Sequence, residues 1–292
     1  MFESLEREEK LAGRKLADLR KKSHIPGQLL ELVEKVLEAQ SKARAQAKVN
    51  VPDSPDLAPV EKVIQGAALL PRESFTYDAG QASTLFESFT DLLSGMGGPM
   101  AQAAAMVRAE GEPLMTGAFE AFIKDDKSFF DAFAARTPQA PRTLAFLAQS
   151  SLTPSIMALA GEIAKTLPAE RTWDHAACPV CGSLAFHSAF RNREGVRVNS
   201  CSFCRADYRT FRLQCAYCEE RDAGKLPYFT ADEEPGYRVE ACESCKGYIK
   251  ITDFREFDRP SLAPLDDLES LTLDILAARK GFVRPTPSAW GF

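Results

Sequence analysis

The residues of this 292-residue chain whose types and spacing could do chemistry are its eight cysteines, all of them between Cys178 and Cys245. They form four CxxC pairs: Cys178/Cys181, Cys201/Cys204, Cys215/Cys218 and Cys242/Cys245. A CxxC pair is short enough to turn both sulfurs toward one point, and two pairs supply the four thiolates of a tetrahedral site for zinc or a single iron. Four pairs therefore predict two sites. Pairing neighbours encloses 19 residues in the first site and 23 in the second, within or just beyond the spacing of ribbon-type sites. The ten residues from Arg205 to Gln214 are short for a loop inside a site and natural for a strand between two. All eight cysteines are expected to be metal ligands, in sequential quartets.

Other uses of cysteine fit less well. Disulfide scaffolds belong to short secreted chains that cannot build a core, and the first ten residues, MFESLEREEK, are acidic and carry no apolar run that would make a signal peptide. A thioredoxin-type dithiol is a single CxxC at a helix start in an α/β setting, and nothing here has that setting. His175 and His187 lie near the first pair and are alternatives to a thiolate, although four cysteines already complete each set. A closed set of four thiolates leaves no position for water or substrate, which disfavours Lewis-acid hydrolysis and predicts a scaffold or an electron carrier rather than an enzyme.

The elements that position the cysteines divide near Pro168 to Trp173. Before that point the pattern is helical. Phe2 to Lys22 reads as a charged, solvated helix with a thin apolar stripe. A better helix follows Pro26, with Leu29, Leu32, Val33, Val36 and Leu37 on one face. Prolines 52, 55, 59 and 71 mark a connection with a short helix near Val60 to Leu69, and a bundle-like series then runs to about Leu167, broken at Gly95 to Pro99, Gly111 to Pro113, Asp125, Pro138 to Pro141 and Thr153 to Pro154. About eight helices are expected, their Phe and Met stripes forming core.

Beyond the boundary, short alternating strands are expected at Val196/Val198, Phe211/Leu213, Tyr237/Val239 and Tyr248 to Ile251. Gly182 and Gly247 fit tight turns with positive φ. Asp266 to Lys280 reads as one amphipathic helix, carrying Leu268, Leu271, Ile275 and Leu276, stopped by Gly281 and covering the second site.

Net charge is −5, charged residues make up 26% and apolar residues 45%, ordinary for a soluble globular protein. No uninterrupted apolar run approaches the roughly 20 residues of a membrane span, so the expected location is the cytoplasm. Arg191, Arg193, Arg197, Arg205, Arg209 and Arg212 cluster around the second pair, either as a face for anions and acidic partners or as compensation for thiolate charge. A nucleic-acid-binding ribbon would use the same arginines, but the net charge has the wrong sign and aromatic interleaving is sparse.

CPVCGS, CSFC followed by RADYRTFRLQC, CESCKGYIK and DLESLTLD, spanning about Thr172 to Gly281, resemble the bacterial formate dehydrogenase accessory proteins of the FdhE family. One departure is Ala206-Asp207-Tyr208, where that family tends to carry Thr-Glu-Trp. The resemblance implies a multidomain α plus small-β fold: an all-α helical domain over residues 1–170, a rubredoxin-like metal module over 171–210, and a second over 211–292 with a C-terminal helix and tail. It implies two bound metal ions held by the eight cysteines, iron in preference to zinc. It also implies a cytoplasmic, non-enzymatic maturation factor that binds the catalytic subunit of an exported formate dehydrogenase. A rubredoxin-type electron carrier acting on a client's cofactor is the alternative.

Overall fold

The computed structural model describes residues 1–22, 25–52, 56–168 and 170–291; Pro55, expected in the proline-rich connection, lies outside them. The helices among these residues are α1 (Leu5–Leu19), α2 (Gly27–Gln46), α3 (Val60–Ile64), α4 (Ala79–Gly95), α5 (Gly98–Lys124), α6 (Lys127–Arg136), α7 (Thr143–Ile163), α8 (Ala263–Glu269) and α9 (Leu271–Arg279). The strands are β1 (Thr172–Trp173), β2 (Ala185–Arg191), β3 (Val196–Cys201), β4 (Asp207–Thr210), β5 (Tyr228–Phe229), β6 (Tyr237–Ala241) and β7 (Tyr248–Asp253). Two compact units form, and they do not follow chain order. One gathers Met1–Lys21, Pro52–Pro71 and Ala160–Ala289; the other gathers Lys22–Val51, Arg72–Leu159 and Trp290–Phe292.

The second unit is helical. Asp78 caps α4 by accepting the Gln81 amide at 3.0 Å, and Asp126 caps α6 through Ser128 at 3.0 Å. Phe86 and Phe119 meet edge to face, 5.5 Å between ring centres, between α4 and α5. The break expected at Gly111 to Pro113 is a bend inside α5, made possible by Gly111 at φ 64°. Pro154 sits inside α7 and cannot donate to the carbonyl four residues back. That carbonyl, on Ser150, instead accepts the side-chain amide of Gln40 from α2 at 2.8 Å. The helical stretch Thr143–Thr166 is long and apolar enough to cross a membrane, with mean hydropathy 1.3, yet 78% of that window is buried within the protein. Burial against its own neighbours accounts for its apolarity.

The first unit is built on a seven-stranded sheet in the order β1-β4-β3-β2-β7-β6-β5. β2, β3 and β4 pair antiparallel, as do β5, β6 and β7, and the two groups join through parallel pairing of β2 with β7 at Ser188↔Ile251 to Phe190↔Asp253. Each group follows one plan along the chain: CxxC, strand, strand, CxxC, strand. The second group thus repeats the first, displaced sideways across one continuous sheet. β2 has no alternating pattern because six of its seven residues are buried, and so it gives no period-two signal. The strand expected at Phe211 and Leu213 does not form. β4 ends at Thr210, and those two side chains are 41% and 58% exposed.

The expected single C-terminal helix is two helices, broken at Ser270 (φ −107°, ψ 36°). Leu265, Leu268, Leu273 and Ala277 are the buried apolar positions, whereas Ile275 is 55% exposed. The break lets α8 lie against β2 and β7 while α9 covers β6 and β7. It also turns the acids of α8 inward. Asp266, Asp267 and Glu269 are all buried, and each meets a cation. Lys250 of β7 reaches Asp267 at 2.9 Å, and Arg284 reaches it at 2.7 Å. Lys15 of α1 pairs with Asp266 at 2.7 Å and with Glu269, and donates to the Tyr237 hydroxyl at 2.6 Å. Arg259 closes on the other oxygen of Glu269.

Helix α1 is therefore not the solvated helix its charge suggests. Its Lys15 is 1% exposed. Removing one member of a buried ion pair strands the other charge, at a cost of about 3–5 kcal/mol. Lys15→Met is expected to lower unfolding stability by that amount in chemical denaturation of the metal-loaded protein, whereas Lys10→Met on the exposed face of the same helix leaves it within experimental error.

Candidate metal centres

Each CxxC lies in a turn of the same construction. The amide of the first cysteine donates to the carbonyl five residues on: Cys178 to Ser183 at 2.9 Å, Cys201 to Ala206 at 3.0 Å, Cys215 to Glu220 at 2.8 Å and Cys242 to Gly247 at 2.9 Å. The residue after the second cysteine takes positive φ in every case: Gly182 at 80°, Arg205 at 61°, Glu219 at 64° and Lys246 at 57°. For the three non-glycine residues that conformation costs about 1–2 kcal/mol each, so the turns hold it against local preference. Gly182 meets its sequence expectation. Gly247 does not: the positive φ falls on Lys246, and Gly247 is small because a Cβ there would stand 3.0 Å from the Tyr217 ring and 3.3 Å from the Cys245 sulfur.

These turns bring the sulfurs together in the sequential quartets. Cys178, Cys181, Cys201 and Cys204 form one group, Cys215, Cys218, Cys242 and Cys245 the other, with all ligand atoms of a group within 4.8 Å. Closest sulfur pairs are 3.7 Å (Cys178/Cys204) and 3.4 Å (Cys181/Cys201) in the first, and 3.8 Å (Cys215/Cys245) and 3.6 Å (Cys218/Cys242) in the second. A metal–thiolate bond of about 2.3 Å gives a tetrahedron with edges of about 3.8 Å, close to the observed spacing. A disulfide needs about 2.05 Å, and all eight cysteines are free. Each quartet fits one metal ion in the chemistry of its donors and in its spacing.

Electrostatics favour a cation at the first centre. Burial pushes the Cys178 and Cys204 thiols well up, and neighbouring thiols add to the shift, while Cys201, against the same burial, is drawn well down by hydrogen bonds from Cys178 and Cys181. Four buried like charges cannot ionise together without a counter-charge, which a divalent or trivalent ion supplies. In the second quartet the amides of Tyr217 and Gly247 donate to the Cys215 and Cys245 sulfurs, both at 3.4 Å, the kind of outer contact that orients a thiolate.

The two centres differ in access. All four cysteines of the first are buried, at 2% exposure or less, whereas Cys218 and Cys245 of the second are exposed. The first is clamped by a segment far away in sequence: the amides of Leu69 and Leu70 donate to Pro179 and Val180 inside its CPVC turn, at 2.8 and 3.0 Å. Sequence reasoning missed that clamp, since only two apolar residues before Pro71 mark it. Tyr208, at the departure from the resembled pattern, donates its hydroxyl to the Ala176 carbonyl at 2.9 Å and so braces the same turn.

Neither histidine joins a quartet. His175 lies 3.7 Å from Glu219 at the surface. His187 is buried in the sheet, with Nε2 2.8 Å from the Thr252 hydroxyl, which donates in turn to Asp266. Burial holds His187 down to about 4, against the pull of Asp267 and Asp266, so it is neutral at physiological pH. The arginine cluster expected around the second pair disperses: Arg191 pairs with Asp207, Arg209 with Glu170, and Arg197 is buried against Glu240 at 2.6 Å.

Residues 213–290 match the family profile described as "FdhE, C-terminal domain". Similar proteins include a "Protein FdhE homolog" of Aquifex aeolicus, 32% identical over 123 residues that make up 41% of this chain and 43% of the relative. Another, from Pseudomonas aeruginosa, is 37% identical over 120 residues, 38% of each chain. "Protein FdhE" of Escherichia coli K12 is 36% identical over 110 residues, 37% of this chain and 35% of the relative. The chain thus matches about two-fifths of the length of these relatives. The crystal structure of the FdhE protein from Pseudomonas aeruginosa shares the fold across 99% of this chain and 97% of that one, with a TM-score of 0.65 at 24% identity.

The difference in access predicts two rates of metal loss. Under anaerobic chelator challenge, two ions are expected to leave in two phases of equal amplitude, the faster by about tenfold. Cys218→Ser should abolish the fast phase and spare the slow one. A single phase, or a fast phase surviving in that variant, contradicts the assignment.

Proposed function

Because the chain belongs to the FdhE family, we propose that it is a cytoplasmic, non-enzymatic accessory factor in formate dehydrogenase maturation. In this reading it binds the immature catalytic subunit of an exported formate dehydrogenase. The observation that carries the proposal is the pair of convergent cysteine quartets set in one sheet. Cys178, Cys181, Cys201 and Cys204 would hold one ion, and Cys215, Cys218, Cys242 and Cys245 the other, iron in preference to zinc. A filled quartet has no coordination position left for water or substrate, so the ions serve as structure or as electron stores. Both readings make the sheet with its helices a platform for another protein.

One observation favours electron transfer as the second reading. The second centre exposes Cys218 and Cys245, and sulfur at the surface brings an iron there within reach of a client's cofactor. The buried first centre offers no such edge, and in this reading it is structural.

Co-purification of the metal-loaded protein with the immature catalytic subunit under anaerobic conditions tests the proposal. A stoichiometric complex is expected, and it should be weakened by loss of the second ion in Cys245→Ser. No complex, with both proteins folded and metal-loaded, contradicts the accessory role. Reversible bleaching of a ferric absorption band by dithionite supports the electron-transfer reading, and a colourless protein with two zinc ions removes it.

A further inference from the structure

Three arginines gather around one aromatic ring, with a fourth beside it, at the seam between the two strand groups. Phe190 is buried on β2, the strand that pairs with β7 across the seam. Its ring is faced by Arg238 of β6 at 4.3 Å, Arg212 of the segment after β4 at 5.1 Å and Arg255, just beyond β7, at 5.4 Å. Arg197 stands opposite Phe190 in the β2–β3 register and is 1% exposed. Among the described residues the carboxylates that pair with these arginines are two. Glu240 accepts from Arg197 at 2.6 Å, and Asp253 takes Arg255 in a fork at 2.7 and 2.8 Å and lies 3.9 Å from Arg238. The cluster keeps an excess of two positive charges over these partners.

That excess is held in a partly desolvated place. Burial lowers Arg238 from its ordinary value, and Arg212 and Arg255 push the same way while Asp253 and Glu240 oppose them. Donors are also left over: Nε and Nη2 of Arg197 and Nε of Arg238 are buried without a hydrogen-bond partner. Gly195, in the turn between β2 and β3, keeps the space open, since a Cβ there would fall 2.7 Å from the Arg255 guanidinium and 3.3 Å from that of Arg212. Arg212 itself is exposed and has no carboxylate partner among the described residues. Unused buried donors and undercompensated guanidiniums around one ring are what an oxyanion satisfies, because planar guanidinium forks match the oxygen pairs of carboxylates and phosphoryl groups.

We propose that Arg212, Arg238 and Arg255, stacked around Phe190 beside buried Arg197, form a binding site for a single oxyanion of carboxylate or phosphoryl type. Phe190 fixes the guanidinium planes by cation–π contact. Arg212 closes the site from solvent, and Arg238 supplies its inner donor. The source of the anion is a free ion or an acidic side chain presented by a protein, and both offer the same oxygen pair. The site includes none of the eight cysteines, although Arg197 also donates to the Gln214 carbonyl beside Cys215 at 3.0 Å, and it does not depend on the maturation role.

Calorimetric titration of the intact, metal-loaded chain at low ionic strength tests this, using inorganic phosphate, an end-blocked tetraglutamate peptide and its tetraglutamine counterpart. One anion is expected per chain, weakened by added KCl, with no uptake of the glutamine peptide. Arg212→Gln is expected to weaken binding about tenfold, the worth of one charge-assisted contact, with metal content and circular dichroism unchanged. Should Arg238→Gln fail to fold, the exposed Arg212 variant decides alone. Phosphate binding lost in Arg212→Gln supports a free-ion source, and peptide-only binding lost in that variant supports an acidic side chain. No binding of either anion, or binding indifferent to Arg212→Gln, overturns the proposal.

Discussion

Four sulfurs must meet within about a 3.8 Å edge, twice, and the rest of the metal-bearing unit serves that requirement. A thiolate quartet tolerates little error in backbone placement, so the chain uses one turn four times, with the same amide-to-carbonyl bond and the same left-handed residue after the second cysteine. Strands carry the turns because a strand pair fixes the distance between two loops better than a loop can. The parallel junction of β2 and β7 then makes one sheet of two modules, so the second centre is held in register with the first.

A small sheet with turns at its ends has little apolar surface to bury, and the unit adds a second source of cohesion. Acids on α8 are drawn beneath the surface and matched by Lys15, Lys250, Arg259 and Arg284, which come from four separate parts of the chain. Buried pairs of this kind gain little net stability over apolar packing, but each fixes a geometry, since a misplaced helix would strand a charge. Through Lys15 the first helix of the chain is tied to a sheet that begins about 150 residues later. The same logic leaves the arginines around Phe190 conspicuous, because there four guanidiniums share two carboxylates.

Much of this was legible in the residues. Cysteine spacing alone selected the sequential quartets, because ten residues between Cys204 and Cys215 suit a bridge between sites. Helical periodicity located the bundle, and the strands at Val196, Tyr237 and Tyr248 showed by alternation. Other parts were hidden for physical reasons. β2 is buried on both faces and has no period; α1 looked solvated because an ion pair made in three dimensions has no local signature. The last helix looked continuous because the break at Ser270 is imposed by where its acids find partners. Gly247 invited a turn reading, whereas its smallness answers to Tyr217 and Cys245. The clamp of Leu69 and Leu70 on the first CxxC turn joins positions more than 100 residues apart, beyond the reach of any spacing rule.

The asymmetry between a sealed centre and one with two surface sulfurs underlies the proposed division of labour, one ion holding the sheet and one facing outward. Both roles depend on the ions being there and on sulfur alone binding them. Metal-edge X-ray absorption on the anaerobically purified protein, combined with metal quantification, tests this most directly. The expected result is two ions per chain, each with a shell of four sulfurs at about 2.3 Å. A shell containing nitrogen or oxygen, or a metal-free chain with its cysteines oxidised to disulfides, would contradict the account.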